Sequence, residues 1–190
     1  MEKLEMKKLV IGITGATGVI YGVRMLVVLK RAGIETHLVV TDAALKNLKI
    51  ETNYELKDLQ DLASKTYHPD DLSAPIASGS FPVDGMVVIP CSIKTLSAIA
   101  NSFNYNLLIR AADVNLKERR RVVLVVTETP LHEGHLGLML KVTRMGGIIM
   151  PPVPAFYHQP NSIDDILDQT IGKILDLFGL DLNLFRRWGA

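Results

Sequence analysis

Small hydroxyl-bearing and glycine residues recur just past the ends of short apolar runs. Thr14-Gly15-Ala16-Thr17-Gly18 follows the first run, Thr41 the second, Cys91-Ser92-Ile93-Lys94-Thr95 the third, and Thr127-Glu128-Thr129-Pro130 the fourth. At a strand-to-helix turn, such residues leave backbone N–H groups and hydroxyls free for a phosphate monoester or diphosphate. The glycine turn lacks the dinucleotide spacing, because its glycines fall at Gly12, Gly15 and Gly18, and no G-x-x-x-x-G-K-[ST] string occurs. Tight packing of strand on helix would also account for GATG without a ligand. Glu128 is the one acid in the set, placed where a carboxylate could exchange protons with a bound group.

Other reactive types fit blander roles. Cys91 has no histidine near it in sequence, so it reads as a small buried residue rather than a nucleophile. His132 and His135 form an H-x-x-H pair outside any zinc-protease or zinc-finger context, and no metal is expected. The run KERRR, Lys117 to Arg121, reads as a solvated helix end where cations are favoured.

These residues need a scaffold that brings strand ends together, and the pattern supplies one. KLVIGIT (8–14), THLVV (36–40), MVVIP (86–90), VVLVVT (122–127) and GIIM (147–150) read as strands buried on both faces. Helical spacing lies between them, from Val19 to a stop at Gly33, after a Thr41 N-cap, and near 92–101, 111–119 and 135–145. The stretch 50–82 is polar and mixed, with a short helical pattern around Tyr54 to Ala63 and a glycine–serine turn at Ser78 to Ser80, and reads as an excursion beside the sheet. PPVPAFYHQP (151–160) cannot hold a helix, and a final amphipathic helix runs from its Ser162 cap to Gly179. The alternation predicts an α/β fold, a Rossmann-like (flavodoxin-like) three-layer domain with a mostly parallel sheet, occupying 1–190 as a single domain. Ligands of such sheets bind beyond the carboxyl ends of the strands.

Composition bounds the partners. The chain has 190 residues and a formal charge of +1, so no global field attracts nucleic acid or an anionic membrane. By the usual apolar count, with glycine in and tyrosine out, it is roughly 53% apolar against about 45–50% ordinarily, which leaves surface to be covered by other subunits. One cysteine, no signal-peptide core and no apolar stretch of membrane-spanning length predict a soluble, unprocessed cytoplasmic protein.

Five strings stand in order over nearly the whole chain: GITGATGVIYGVRML, SGSF followed by MVVIPCSIKTLSAIA, RAADVNLKERR, ETPLHEGHL, and PPVPAFYHQP with its helix to DLF. In them the chain resembles the UbiX-type flavin prenyltransferases, formerly called aromatic acid decarboxylases. The resemblance implies a subunit that binds FMN and assembles into a homo-oligomer, a dodecamer. It also implies transfer of a dimethylallyl group from dimethylallyl monophosphate to N5 and C6 of reduced FMN, with prenylated FMN passing to a UbiD-type decarboxylase. By matching positions, Gly15, Ala16, Thr17, Thr41, Ser92, Ile93, Lys94, Thr95 and Thr127 would contact FMN. Tyr157, Lys173 and Lys117 would hold the prenyl phosphate, and Glu128, Glu51 and Lys117 would surround the reacting centre.

An allylic phosphate leaves once its oxygens are neutralised and protonated, which suits cations, hydroxyls and an acid without a metal. Two positions depart from the family pattern. Thr127 stands where an arginine usually precedes the glutamate, and Lys173 replaces an arginine, keeping the charge but losing the planar fork. The alternatives are a noncatalytic carrier of FMN or its product, and a flavin-dependent cysteine decarboxylase, whose usual histidine is replaced here by Val19-Ile20-Tyr21.

Overall fold

A computed structural model of the chain describes residues 7–189. Its elements run β1 Lys8–Ile13, α1 Val19–Arg31, β2 Glu35–Val40, α2 Asp42–Glu51, α3 Leu56–Leu62, β3 Lys65–Tyr67, β4 Gly85–Cys91, α4 Ile93–Ala100, α5 Leu107–Lys117, β5 Arg121–Val126, α6 Glu133–Arg144, β6 Ile148–Ile149 and α7 Ile163–Asp176. Every neighbouring strand pair is parallel, in the order β3-β2-β1-β4-β5-β6. The α/β class with a parallel sheet is therefore as expected. Without the edge strand β3 the order is that of flavodoxin-like sheets, and it reverses between β1 and β4.

The strands are apolar because both faces are covered. Every residue of β4 is buried. Val10, Met86, Val88 and Leu124 share one apolar cluster with Leu96, Leu107, Leu108 and Ala111 of α4 and α5. Right-handed crossovers put α1–α3 on the other face. Each fully buried aliphatic side chain contributes about 1.5–3 kcal/mol. Pro90 interrupts β4, where it has no N–H to give, and the β4–β5 register shifts between Val88 and Cys91. Its carbonyl instead accepts from Thr14 N at 3.2 Å and Thr14 Oγ1 at 2.8 Å, which fastens β1 to β4 at their carboxyl ends.

Three expectations are corrected. The polar stretch at 50–82 holds its expected short helix, α3, but also a genuine edge strand, β3, in which Lys65 and Tyr67 pair with His37 and Val39 of β2; three partly exposed residues give no apolar run to read. Helix α5 starts at Leu107 rather than 111, because Asn106 accepts from Ile109 N at 3.0 Å and caps it. KERRR is not a helix end throughout: α5 stops at Lys117, and Arg119 adopts a left-handed φ of 58°.

The described chain divides into two compact units, one closing at Pro151 and the other opening at Pro152. In the second, the proline-rich segment holds no helix, and α7 opens on a capping box between Ser162 and Asp165. A Cβ on Gly172 would sit 2.6 Å from the Phe185 ring, so glycine lets the tail lie against α7. Arg187 closes the same contact with a two-pronged bond to Asp176, at 2.9 and 2.7 Å, and a third to Asp181 at 2.9 Å. Among the described residues no helix is long and apolar enough to cross a membrane.

Candidate active site

At the reversal point, Ser92 N donates to Thr14 Oγ1 at 2.8 Å, joining the residues that follow β4 and β1. Thr41 caps α2 by accepting from Ala44 N at 3.3 Å, and Ser92 caps α4 by accepting from Thr95 N at 3.3 Å. Both helices so turn their amino ends to one cleft of about 300 Å³, lined by Thr14, Gly15, Thr41, Ser92, Lys94 and Thr95 among others. The first amides of α4, at Ile93 and Lys94, have no carbonyl one turn earlier within the helix. With the helix dipoles and the Lys94 ammonium, which lies 5.0 Å from the centre of the Tyr105 ring, they make a site for an anion. A Cβ on Gly15 would overlap Ala43 in the first turn of α2, so only glycine allows this approach.

The glycine turn is held from three sides. Asn47 Nδ2 donates to Ala16 O at 3.0 Å, and Thr127 Oγ1 donates to Thr17 O at 3.0 Å. The Glu51 carboxylate accepts from Gly18 N at 2.9 Å and Val19 N at 3.0 Å. Gly18 has no side chain to cap α1, so Glu51, at the end of α2, caps it instead. Glu128 follows Thr127, exposed and without a bonded partner among the described residues.

The structure thus gathers Gly15, Ala16, Thr17, Thr41, Ser92, Ile93, Lys94, Thr95, Thr127 and Glu51 at the carboxyl edge, with Glu128 at its rim. It does not bring Lys117 there. Lys117 ends α5, just before Arg121 opens β5 opposite Gly85, the first residue of β4. A six-residue strand at about 3.3 Å per residue separates it from Thr127 and Glu128. Lys117 pairs instead with Glu118, whose carboxyl is held below the usual range by that hydrogen bond. In the second unit, Tyr157 packs edge-on against His158 and Trp188, at 5.8 and 5.5 Å between ring centres, and Lys173 is exposed in the last turn of α7.

Sequence reasoning missed Asn47, His68, Asp70, Tyr105 and Asn106. Asn47 carried a signal: it lies four residues before Glu51, and that spacing puts both on one helix face. His68 and Asp70 follow β3, so they were hidden with that strand. Cys91 is fully buried, and burial pushes its thiol pKa far up, which fits an inert residue. Among the described residues no group of three or more His, Cys, Asp or Glu is placed to hold a metal ion.

Residues 1–175 match the family profile described as "Flavoprotein". The flavin prenyltransferase UbiX of Thauera aromatica is 55% identical over 181 residues, covering 95% of this chain and 93% of that protein. The chain belongs to the UbiX-type flavin prenyltransferase family. A crystal structure of AnUbiX (PadA1) in complex with FMN and dimethylallyl pyrophosphate superposes with a TM-score of 0.95 at 50% identity, covering 97% of this chain and 98% of that one. The dodecameric FMN-dependent UbiX-like decarboxylase of Escherichia coli O157:H7 gives 0.93 at 46% identity, covering 96% and 100%. As a flavin prenyltransferase by family, the chain is an enzyme, and the carrier and cysteine-decarboxylase alternatives are not favoured.

Proposed function

We propose that the chain transfers a dimethylallyl group from dimethylallyl monophosphate to N5 and C6 of reduced FMN, yielding prenylated FMN for a UbiD-type decarboxylase. The observation that carries this reading is the anion-ready cleft between the α2 and α4 amino ends in a chain of this family. The residues present suit FMN: hydroxyls at Thr41, Ser92 and Thr95, free amides at Ile93 and Lys94, and a turn at Gly15 that a Cβ would close. Bound flavin supplies the nucleophilic atoms. Thr17 and Thr127 border its place, and Glu51 keeps the turn in register by capping α1.

Glu128 is positioned to move a proton at the leaving phosphate oxygen or at the flavin carbon that is alkylated, since it stands free at the carboxyl edge. Tyr157 and Lys173 supply a hydroxyl and a cation to the prenyl phosphate. Lys117 sits a strand length away in its own chain, so in this reading it serves the site of another copy within a homo-oligomer such as the dodecamer of the E. coli relative. Neutralisation by lysines in place of arginine forks relies on point charge rather than paired hydrogen bonds. A cytoplasmic location and a single working domain over 1–190 complete the reading, the former supported by the one buried cysteine.

Anaerobic incubation with reduced FMN and dimethylallyl monophosphate tests the proposal. Phosphate release together with a changed flavin absorption spectrum is expected. Tight FMN binding without phosphate release would overturn it.

A further inference from the structure

We infer that Arg120 is a positioning residue for Lys117, fixing the Ser78–Phe81 turn against which the Lys117–Glu118 pair rests. Both prongs of its guanidinium are committed to that one turn: Nη1 donates to Phe81 O at 2.9 Å and Nη2 to Gly79 O at 2.7 Å. Arg120 is itself anchored, its N–H donating to Asn115 O in α5 at 2.8 Å. The turn is also held at both ends. Arg110 Nε donates to Ala77 O at 3.1 Å, and the Phe81 ring meets His37 edge-on at 5.1 Å beneath the Lys8 ammonium at 4.7 Å.

What the turn presents to Lys117 is the bare α-carbon of Gly79. A Cβ there would displace the Glu118 carboxylate and lie 2.8 Å from Lys117 Nζ. The arginine fork, the two carbonyls, Gly79 and the ion pair therefore form one stack, in which a guanidinium can bind two carbonyls at once and an ammonium offers only a point donor. Loosening the fork frees the turn and with it the place of the Lys117 ammonium. The FMN cleft lies at the opposite end of the sheet and is untouched.

This rests on the reading that Lys117 neutralises the prenyl phosphate, and the test separates the two. Arg120→Lys, Lys117→Ala and the double variant are assayed as assembled enzyme. A misplacement of about 1 Å can cost on the order of 10²-fold, so Arg120→Lys should raise the KM for dimethylallyl monophosphate roughly 10–100-fold. FMN affinity should not change, and Arg120→Lys should add nothing in the Lys117→Ala background, because the residue acts through Lys117. A KM unmoved by Arg120→Lys while Lys117→Ala raises it overturns this inference alone, as does full additivity. A KM unmoved by Lys117→Ala removes the role of Lys117 and this inference together. Should Arg120→Lys fail to assemble, Gly79→Ala approaches the same contact from the turn, displacing only the flexible ends of the Glu118 and Lys117 side chains. It should raise KM in the same way, and an unchanged KM in that variant is equally fatal.

Discussion

Glu51 caps a helix that is not its own: its carboxylate accepts the Val19 amide at 3.0 Å, across 32 residues of sequence. The carboxylate faces the positive end of α1, where an anion is favoured, and it joins the end of α2 to the start of α1. Glu51→Ala should lower stability by about 1–2 kcal/mol, the usual loss for a removed cap, read as the midpoint shift in urea unfolding. Glu51→Gln keeps an acceptor and should recover most of that. Equal losses in the two variants would show that the cap is not the source.

Gly15 meets the first turn of α2 without room for a side chain. Gly15→Val should weaken FMN binding by at least roughly tenfold, since misplacing positioned donors by about 1 Å costs 10²-fold in comparable sites. Fluorescence titration of FMN checks this, and an unchanged dissociation constant would place the flavin elsewhere.

Glu128 stands exposed beyond β5, where substitution disturbs no bond within the described chain. Glu128→Gln should reduce prenyl transfer by about 10²–10⁴-fold, as for other positioned acids and bases, with FMN affinity unchanged. Unimpaired turnover would leave electrostatic preorganisation as the source of rate.

His37 is buried between Tyr67, whose hydroxyl lies 2.8 Å from Nδ1, and Glu35, 2.9 Å from Nε2; Lys8 and Lys65 also face it. Burial lowers its pKa below the ordinary 6.5, against the pull of Glu35. The unfolded chain then binds the proton more readily than the folded one, so stability should fall as pH drops below 6.5. Glu35 extends the loss to lower pH: burial raises its pKa, but the bonds from His37 and Lys8 outweigh this and leave it below 4.5. Urea unfolding at pH 7.5 and 5.5 should show a smaller difference for His37→Gln than for the unaltered chain. Equal differences would count against the assignment.

How much was legible depended on whether the signal was local. β1, β2, β4 and β5 announced themselves as apolar runs because both faces are covered, and Thr41 and Ser162 were readable as caps because capping is settled within three residues. β3 was invisible because it exists only through its pairing with β2. Glu51 matched the family site, but its cap on α1 joins residues more than thirty apart. The charge run at 117–121 concealed two different roles, a paired lysine and an arginine bound to carbonyls 39 and 41 residues upstream, which no local pattern distinguishes. That Lys117 stands at the far end of the sheet from Glu128 could have been counted from the strands alone.

That separation by one strand length has a genetic consequence. If Lys117 and Glu128 serve a common site from different copies, as proposed above, a subunit lacking one is not a dead unit but half of two incomplete ones. Coexpressed Lys117→Ala and Glu128→Gln chains, each impaired by itself, would then complement one another in hybrid assemblies, where some junctions combine the intact Lys117 of one parent with the intact Glu128 of the other.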